Sequence, residues 1–188
     1  MSAPHDPIPD DTLLLCLDLQ EPFLRVMNQR ERLQKRCAFA LAAAVGIGVP
    51  VAFTEQVPEK LGGTLPALLN LAPQAAVWGK KAFSALGDPG ICDAVLRQRN
   101  VQHVLLCGLE TPVCVYQTAL AALAEDLHVT ILSDAIGARR DDDARTCLEA
   151  LARAGAHVLP SETVFYALLR DVEHPFFRGY TQLVKAAS

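Results

Sequence analysis

Leu13 to Leu17 reads LLLCL, an unbroken apolar run that stops at Asp18. A strand with one wet face would alternate apolar and polar residues, and a helix would need a longer segment. A short run that is apolar at every position fits a strand covered on both faces. Such strands belong to parallel sheets sandwiched between helices, so this one run already narrows the choice of folds.

The remaining sequence repeats the theme. Arg30 to Val45 (RERLQKRCAFALAAAV) is polar early and rich in Ala and Leu later, with Gly46 and Gly48 as stop signals, and predicts a helix. Short strands are expected at Pro50 to Phe53, Ala75 to Trp78, Val101 to Cys107, Val129 to Leu132 and His157 to Leu159. Helices are expected at Asp88 to Arg97 with Pro89 in its first turn, Thr111 to Glu125, Asp141 to Ala154, Glu162 to Leu169 and in the tail. The segment TEQVPEKLGGTLPAL after the second strand has the Gly and Pro content of a loop. This alternation predicts an α/β fold, a three-layer α/β/α doubly wound sheet that is mainly parallel. No repeat or linker divides it, so residues 1–188 read as one domain, with 1–10 loose.

Charge and cysteine usage narrow the function classes. The net charge is -4, against the basic balance of nucleic-acid surfaces. The opening MSAPHDPIPD lacks the charged-then-apolar order of a secretion signal, and no apolar run is long enough to cross a bilayer. Six cysteines are scattered without a C-x-x-C pair, which suits a reducing cytoplasm better than a disulfide framework. The expectation is a cytoplasmic protein that takes a small molecule, with no nucleic acid, membrane, metal or cofactor as partner.

In doubly wound sheets the ligand crevice lies beyond the carboxyl ends of the strands. Asp18 stands directly after the first strand, as either a functional acid or a cap for the next segment. Cys114 follows the Val101 to Cys107 strand inside CGLETPVCVYQTAL, near the start of a helix. A helix N-terminus favours a thiolate, which would lower the thiol pKa; the plain alternative is an inert core cysteine. Cys16, Cys37, Cys107 and Cys147 sit in apolar patterns and read as inert. Lys80 and Lys81 are either a solvated pair or the source of a cation beside the thiol. A Cys–His pairing is disfavoured, because His5, His103, His128, His157 and His174 all lie away from the strand ends that carry Asp18 and Cys114.

Three ordered blocks, LLLCLDLQEPF (13–23), WGKKAFSAL (78–86) and LLCGLETPVCVYQTALAAL (105–123), followed by VTILSDAIGAR (129–139), resemble the isochorismatase-like cysteine hydrolase superfamily over nearly the whole chain. The loop after the second strand and the ending HPFFRGYTQLVK look most like its isochorismatase domain-containing branch. The resemblance implies a triad of Asp18, Lys80 and Cys114, with Lys80 chosen over Lys81 by the spacing Lys-x-x-aromatic-Ser (Lys80, Phe83, Ser84). It implies a cis peptide at Leu109–Glu110, with the backbone N–H groups of Glu110 and Cys114 as an oxyanion hole. It also implies hydrolysis of a small amide, carbamoyl or related C–N bond through a Cys114 acyl-enzyme, and a homo-oligomer built on dimers. The nicotinamidase branch carries Asp-x-His after its second strand; here that place reads Thr54-Glu55-Gln56, which speaks against a metal. Members that cleave an enol ether can lack the cysteine, so Cys114 points to acyl chemistry. Gln20, Phe23, Trp78, Phe83 and Tyr116 are candidates for the pocket lining. A non-catalytic interaction protein on the same scaffold is the competing reading.

Overall fold

The computed structural model describes residues 11–98 and 101–187. The expected loose start and His5 lie outside the described residues. Six parallel strands form one sheet: β1 (Thr12–Leu17), β2 (Val51–Gln56), β3 (Ala76–Lys80), β4 (His103–Leu109), β5 (His128–Gly137) and β6 (His157–Leu159). Their order across the sheet is β3-β2-β1-β4-β5-β6, and every pairing is parallel.

The helices are α1 (Glu21–Leu24), α2 (Arg30–Ile47), α3 (Pro58–Leu61), α4 (Pro66–Leu69), α5 (Pro89–Asp93), α6 (Tyr116–Ala124), α7 (Asp141–Ala154), α8 (Ser161–Leu169) and α9 (Phe177–Ala187). On one face of the sheet α2, α4, α8 and α9 pack over Leu14, Cys16, Phe53, Leu105 and Cys107. On the other, α5, α6 and α7 cover Leu13, Leu15, Leu17, Ala52 and Leu106. The LLLCL run thus divides its side chains by strict alternation between two separate cores, which is why each position must be apolar. Each buried leucine stabilises the fold by about 1.5–3 kcal/mol.

Local chemistry sets the ends of several elements. α2 stops at Gly48, whose φ of 92° is the left-handed cap that glycine supplies without strain. α5 begins at Asp88, whose carboxylate accepts from the Gly90 and Ile91 N–H groups, with Pro89 in the first turn as expected.

Several boundaries differ from the sequence reading, and the differences share a cause. β2 runs three residues past Phe53, β3 two past Trp78, β4 two past Cys107 and β5 five past Leu132. In each case the strand continues past the point where a polar or small residue (Thr54, Gly79, Gly108, Ser133) interrupts the apolar run. Ladder pairing extends β2 and β3 through Thr54↔Trp78 and Gln56↔Lys80, whatever the side chains prefer. The expected helices at Asp88 to Arg97 and Thr111 to Glu125 each contain a π-helical turn, at Ala94–Gln98 after α5 and at Thr111–Val115 before α6. The expected loop after β2 folds in part into α3 and α4.

The chain leaves β1 toward β2 and β3 on one side and takes up β4, β5 and β6 on the other. The order therefore reverses between β1 and β4, and a crevice opens beyond their carboxyl ends.

Candidate active site

Four strand ends meet at that crevice. Asp18 follows β1, Thr54 and Gln56 close β2, Lys80 closes β3, and Cys114 sits in the π-helical turn after β4. Asp18 has a φ of 53°, a left-handed conformation uncommon outside glycine and enriched at strained functional positions. Its carboxylate is fully buried and accepts from Thr54 Oγ1 at 2.9 Å and from Lys80 Nζ at 2.8 Å.

Lys80 is 2% exposed, and its ammonium is surrounded by acceptors. Besides Asp18 it donates to Gln56 Oε1 at 2.5 Å and to the Phe83 carbonyl at 3.2 Å, and it lies 3.7 Å from Cys114 Sγ. A buried ammonium is tolerated where such partners replace its water. Lys81 is exposed and turned away from this cluster; its carbonyl accepts from Gln56 Nε2 at 2.9 Å.

Cys114 corrects one expectation. Helix-start geometry and a neighbouring lysine were expected to lower its pKa, yet the thiol is pushed up to about 12. Burial is the largest cause, followed by the negative charge of Asp18, which together outweigh Lys80 and a hydrogen bond from the Glu110 backbone N–H. Burial also raises Asp18 above the usual carboxylate range, against the pull of Lys80. Lys80 Nζ links the two, reaching the Asp18 carboxylate at 2.8 Å and Cys114 Sγ at 3.7 Å. At rest the site holds a neutral thiol near a buried carboxylate.

The backbone after β4 is specialised. Gly108 has a φ of 114°, and a Cβ there would stand 2.0 Å from the Leu17 carbonyl oxygen, so glycine is required for β4 to approach β1 this closely. The Leu109–Glu110 peptide is cis. The Glu110 side chain, 7% exposed, accepts from Arg139 Nε at 2.9 Å and ties this turn to the segment after β5.

A cavity of about 480 Å³ opens onto Cys114. Pro22, Phe23, Val26, Phe83 and Val113 form its apolar walls, and Gln56, Glu110 and Arg139 its polar edge. Of the candidate pocket residues, Phe23 and Phe83 line it, and Phe83 is 54% exposed at its rim. Gln20, Trp78 and Tyr116 do not. Gln20 is fully buried and clamps the end of β2 to the following loop, donating to the Gln56 and Gly62 carbonyls and accepting from the Gln56 N–H. Trp78 and Tyr116 are half-buried against the core beneath α5 to α7.

Two participants escaped the sequence reading, Thr54 and Gln56. Both would have been visible had β2 been carried on by its period of two, because alternate residues past Phe53 then face Asp18 and Lys80 while Glu55 turns away to accept from the Thr64 N–H. Among the described residues no three His, Cys, Asp or Glu side chains gather as a metal site would require. His103, His128 and His157 open β4, β5 and β6, at the opposite end of the parallel sheet from Cys114.

The family profile "Isochorismatase domain" matches residues 12–163. The chain belongs to the isochorismatase family. Isochorismatase domain-containing protein 2 of Bos taurus is 34% identical over 96% of this chain and 86% of its own length. A solved structure described as the MAR1 ribonuclease of Caenorhabditis elegans superposes with a TM-score of 0.89 at 29% identity, covering 96% of this chain and 93% of that one. The YcaC gene product of Escherichia coli, described as an octameric hydrolase of unknown specificity, shares the fold at a TM-score of 0.85 and 20% identity, with 98% of each chain covered. Family membership suggests a hydrolase. No helix among the described residues is long and apolar enough to cross a membrane.

Proposed function

We propose that this chain is a cysteine hydrolase of small amide, carbamoyl or related C–N substrates, with Cys114 as nucleophile, Asp18 as general base and acid, and Lys80 as their buried cation. The observation that carries the reading is the hydrogen-bonded cluster Lys80–Asp18–Cys114 beneath an open cavity at the point where strand order reverses.

The raised thiol pKa fits a concerted start. Asp18 accepts the thiol proton while Cys114 Sγ bonds to the substrate carbonyl carbon, so a free thiolate never has to accumulate. As that proton reaches Asp18, Lys80 keeps its charge and offsets the negative charge passing to sulfur and then to the carbonyl oxygen. The Glu110 and Cys114 N–H groups receive that oxygen. Asp18 returns its proton to the leaving nitrogen as the C–N bond breaks, leaving a thioester on Cys114. Water then gives a proton to Asp18 and its hydroxyl to the acyl carbon, and the thiol is regenerated.

The same reading places the enzyme in the cytoplasm as a dimer or a multiple of one, with support from the octamer described for the YcaC relative. A ribonuclease activity, named for the nematode relative, is less favoured because Arg139 is the single cation lining the cavity among the described residues and the net charge is -4. The non-catalytic alternative would leave a buried ion pair beside a thiol without a purpose. The test is ammonia release from a panel of small amides and carbamoyl compounds, with RNA cleavage measured in parallel. Turnover of one compound by the parent chain and none by Cys114→Ala is expected. RNA cleavage that persists in Cys114→Ala, with no amide consumed, would defeat the reading.

A further inference from the structure

The charges around the Cys114 cavity cancel in pairs. Lys80 is bonded to Asp18, and Arg139, the cation at the mouth, is bonded to Glu110. Among the described residues no cation lining the cavity lacks an acidic partner, while the walls are Pro22, Phe23, Val26, Phe83 and Val113. A carboxylate entering such a space loses water and meets a guanidinium whose charge is already answered 2.9 Å away. It also meets the buried negative side chain of Glu110 itself. An apolar group, by contrast, gains from every methylene it buries against Phe23, Val26 and Phe83. The volume of about 480 Å³ lies within the range of small-ligand pockets and exceeds what the scissile amide alone would fill.

We infer that the substrate is an uncharged amide with an apolar acyl group, and that the Glu110–Arg139 pair sets this specificity by neutralising the mouth of the site. The inference rests on the hydrolase reading above for the reaction, but its recognition half stands on the cavity alone. Glu110 contributes through its side chain here, apart from its backbone N–H. The pair is consequently a selectivity filter: Glu110→Gln removes the compensating charge, exposes Arg139 electrostatically and opens the site to anionic amides.

The test uses straight-chain primary amides from acetamide to hexanamide and their counterparts ending in a carboxylate. With the parent enzyme, kcat/KM is expected to rise by about three- to four-fold per methylene until the cavity is full. Each carboxylate counterpart should be poorer by on the order of ten-fold or more. In Glu110→Gln that discrimination should shrink or reverse, with the largest gain on the anionic series. In Cys114→Ala, which cannot turn over, calorimetry should show neutral amides binding with affinity that grows with chain length. Parent enzyme that prefers the carboxylate series, or flat chain-length dependence, overturns the inference while leaving the cysteine hydrolase intact. Chain-length-dependent binding to Cys114→Ala without turnover of any amide by the parent defeats the reaction and upholds the recognition. Absence of binding by either series to Cys114→Ala overturns the inference.

Discussion

Two groups of buried cysteines occupy this molecule, and their chemistry diverges although their burial is similar. Cys16, Cys37 and Cys107 are all 0% exposed and share one core between the sheet and α2, with Cys107 Sγ donating to Cys16 Sγ at 3.3 Å and Cys37 donating to the Ala135 carbonyl. Cys114 is 5% exposed at the end of a neighbouring element. Burial pushes Cys114 upward, as it does Cys37 and Cys107, where thiol–thiol hydrogen bonding is the larger cause. A depressed pKa therefore does not distinguish the candidate nucleophile from the filler. What distinguishes it is company: a carboxylate to receive its proton, an ammonium to balance the charge, and a cavity to admit a carbonyl. The nearest carboxylate to the core cysteines, Asp134, raises Cys37 and Cys107 through its charge but is itself engaged with Arg36 and Ser161, and none of the three lines the Cys114 cavity.

The largest effect that could break this comparison is on turnover. Cys114→Ala should lower kcat by on the order of 10³-fold or more with the fold retained, whereas Cys16→Ala and Cys107→Ala should stay within a few-fold of the parent. Steady-state rates on any accepted substrate, with circular dichroism as the folding control, decide it. Loss of activity in Cys16→Ala equal to that in Cys114→Ala would erase the distinction.

Next come the partners. Asp18→Asn should cost on the order of 10²-fold or more in kcat by removing the proton acceptor. It should also bring the Cys114 thiol down, because a negative neighbour and an acceptor disappear while Lys80 stays. Lys80→Met should do the reverse and raise it. Iodoacetamide alkylation of Cys114 followed against pH reads both signs, and a midpoint moving up in Asp18→Asn would contradict the arrangement described. In the parent, Asp18 must be ionised to act as base, and burial raises its pKa. The acid limb of the kcat/KM profile is therefore expected above the ordinary carboxylate value of 3.8, falling as pH drops through the Asp18 pKa.

A smaller effect sharpens the other half. Cys16→Ala and Cys107→Ala each remove a sulfur from a packed interior and should destabilise by about 1 kcal/mol, seen as a lowered midpoint of urea unfolding. Cys114→Ala should cost less, since its side chain borders a cavity. The smallest expected effect is none: exhaustive EDTA dialysis should leave activity unchanged, because Thr54 and Gln56, which occupy the place of the Asp-x-His motif, are engaged with Asp18 and Lys80. Activity lost on chelation and restored by zinc, iron or manganese would show that a metal takes part.

The sheet was legible because parallel strands buried twice advertise themselves as apolar runs, and β1 and β6 could be bounded to within a residue. Asp18, Lys80 and Cys114 were candidates by their places after strands, but position alone left a cap, a solvated lysine and a core cysteine as open readings, and it was the family resemblance that joined them as a triad. Thr54 and Gln56 were hidden, because hydrophobicity ceases to mark a strand where the strand begins to serve the site. Cys114's pKa was illegible for a different cause. Proximity to a helix start can be read from spacing, but burial and the approach of Asp18 arise from elements nearly a hundred residues away in the chain. The failure of Gln20, Trp78 and Tyr116 to line the cavity is similar. Nearness in sequence to a triad residue says little about which side of the sheet edge a side chain will take.

Gly108 has a consequence for anyone who wishes to retune this site. Its missing side chain acts as the shim between two strands, one of which leads directly into Asp18 and the other toward Cys114, the pair between which the proposed mechanism moves a proton. A methyl group there would have to push Leu17 aside, and Asp18, the next residue, would ride along with it. The reach of the base is thus adjusted from a position that never meets substrate, through the thickness of one hydrogen-sized vacancy in the backbone.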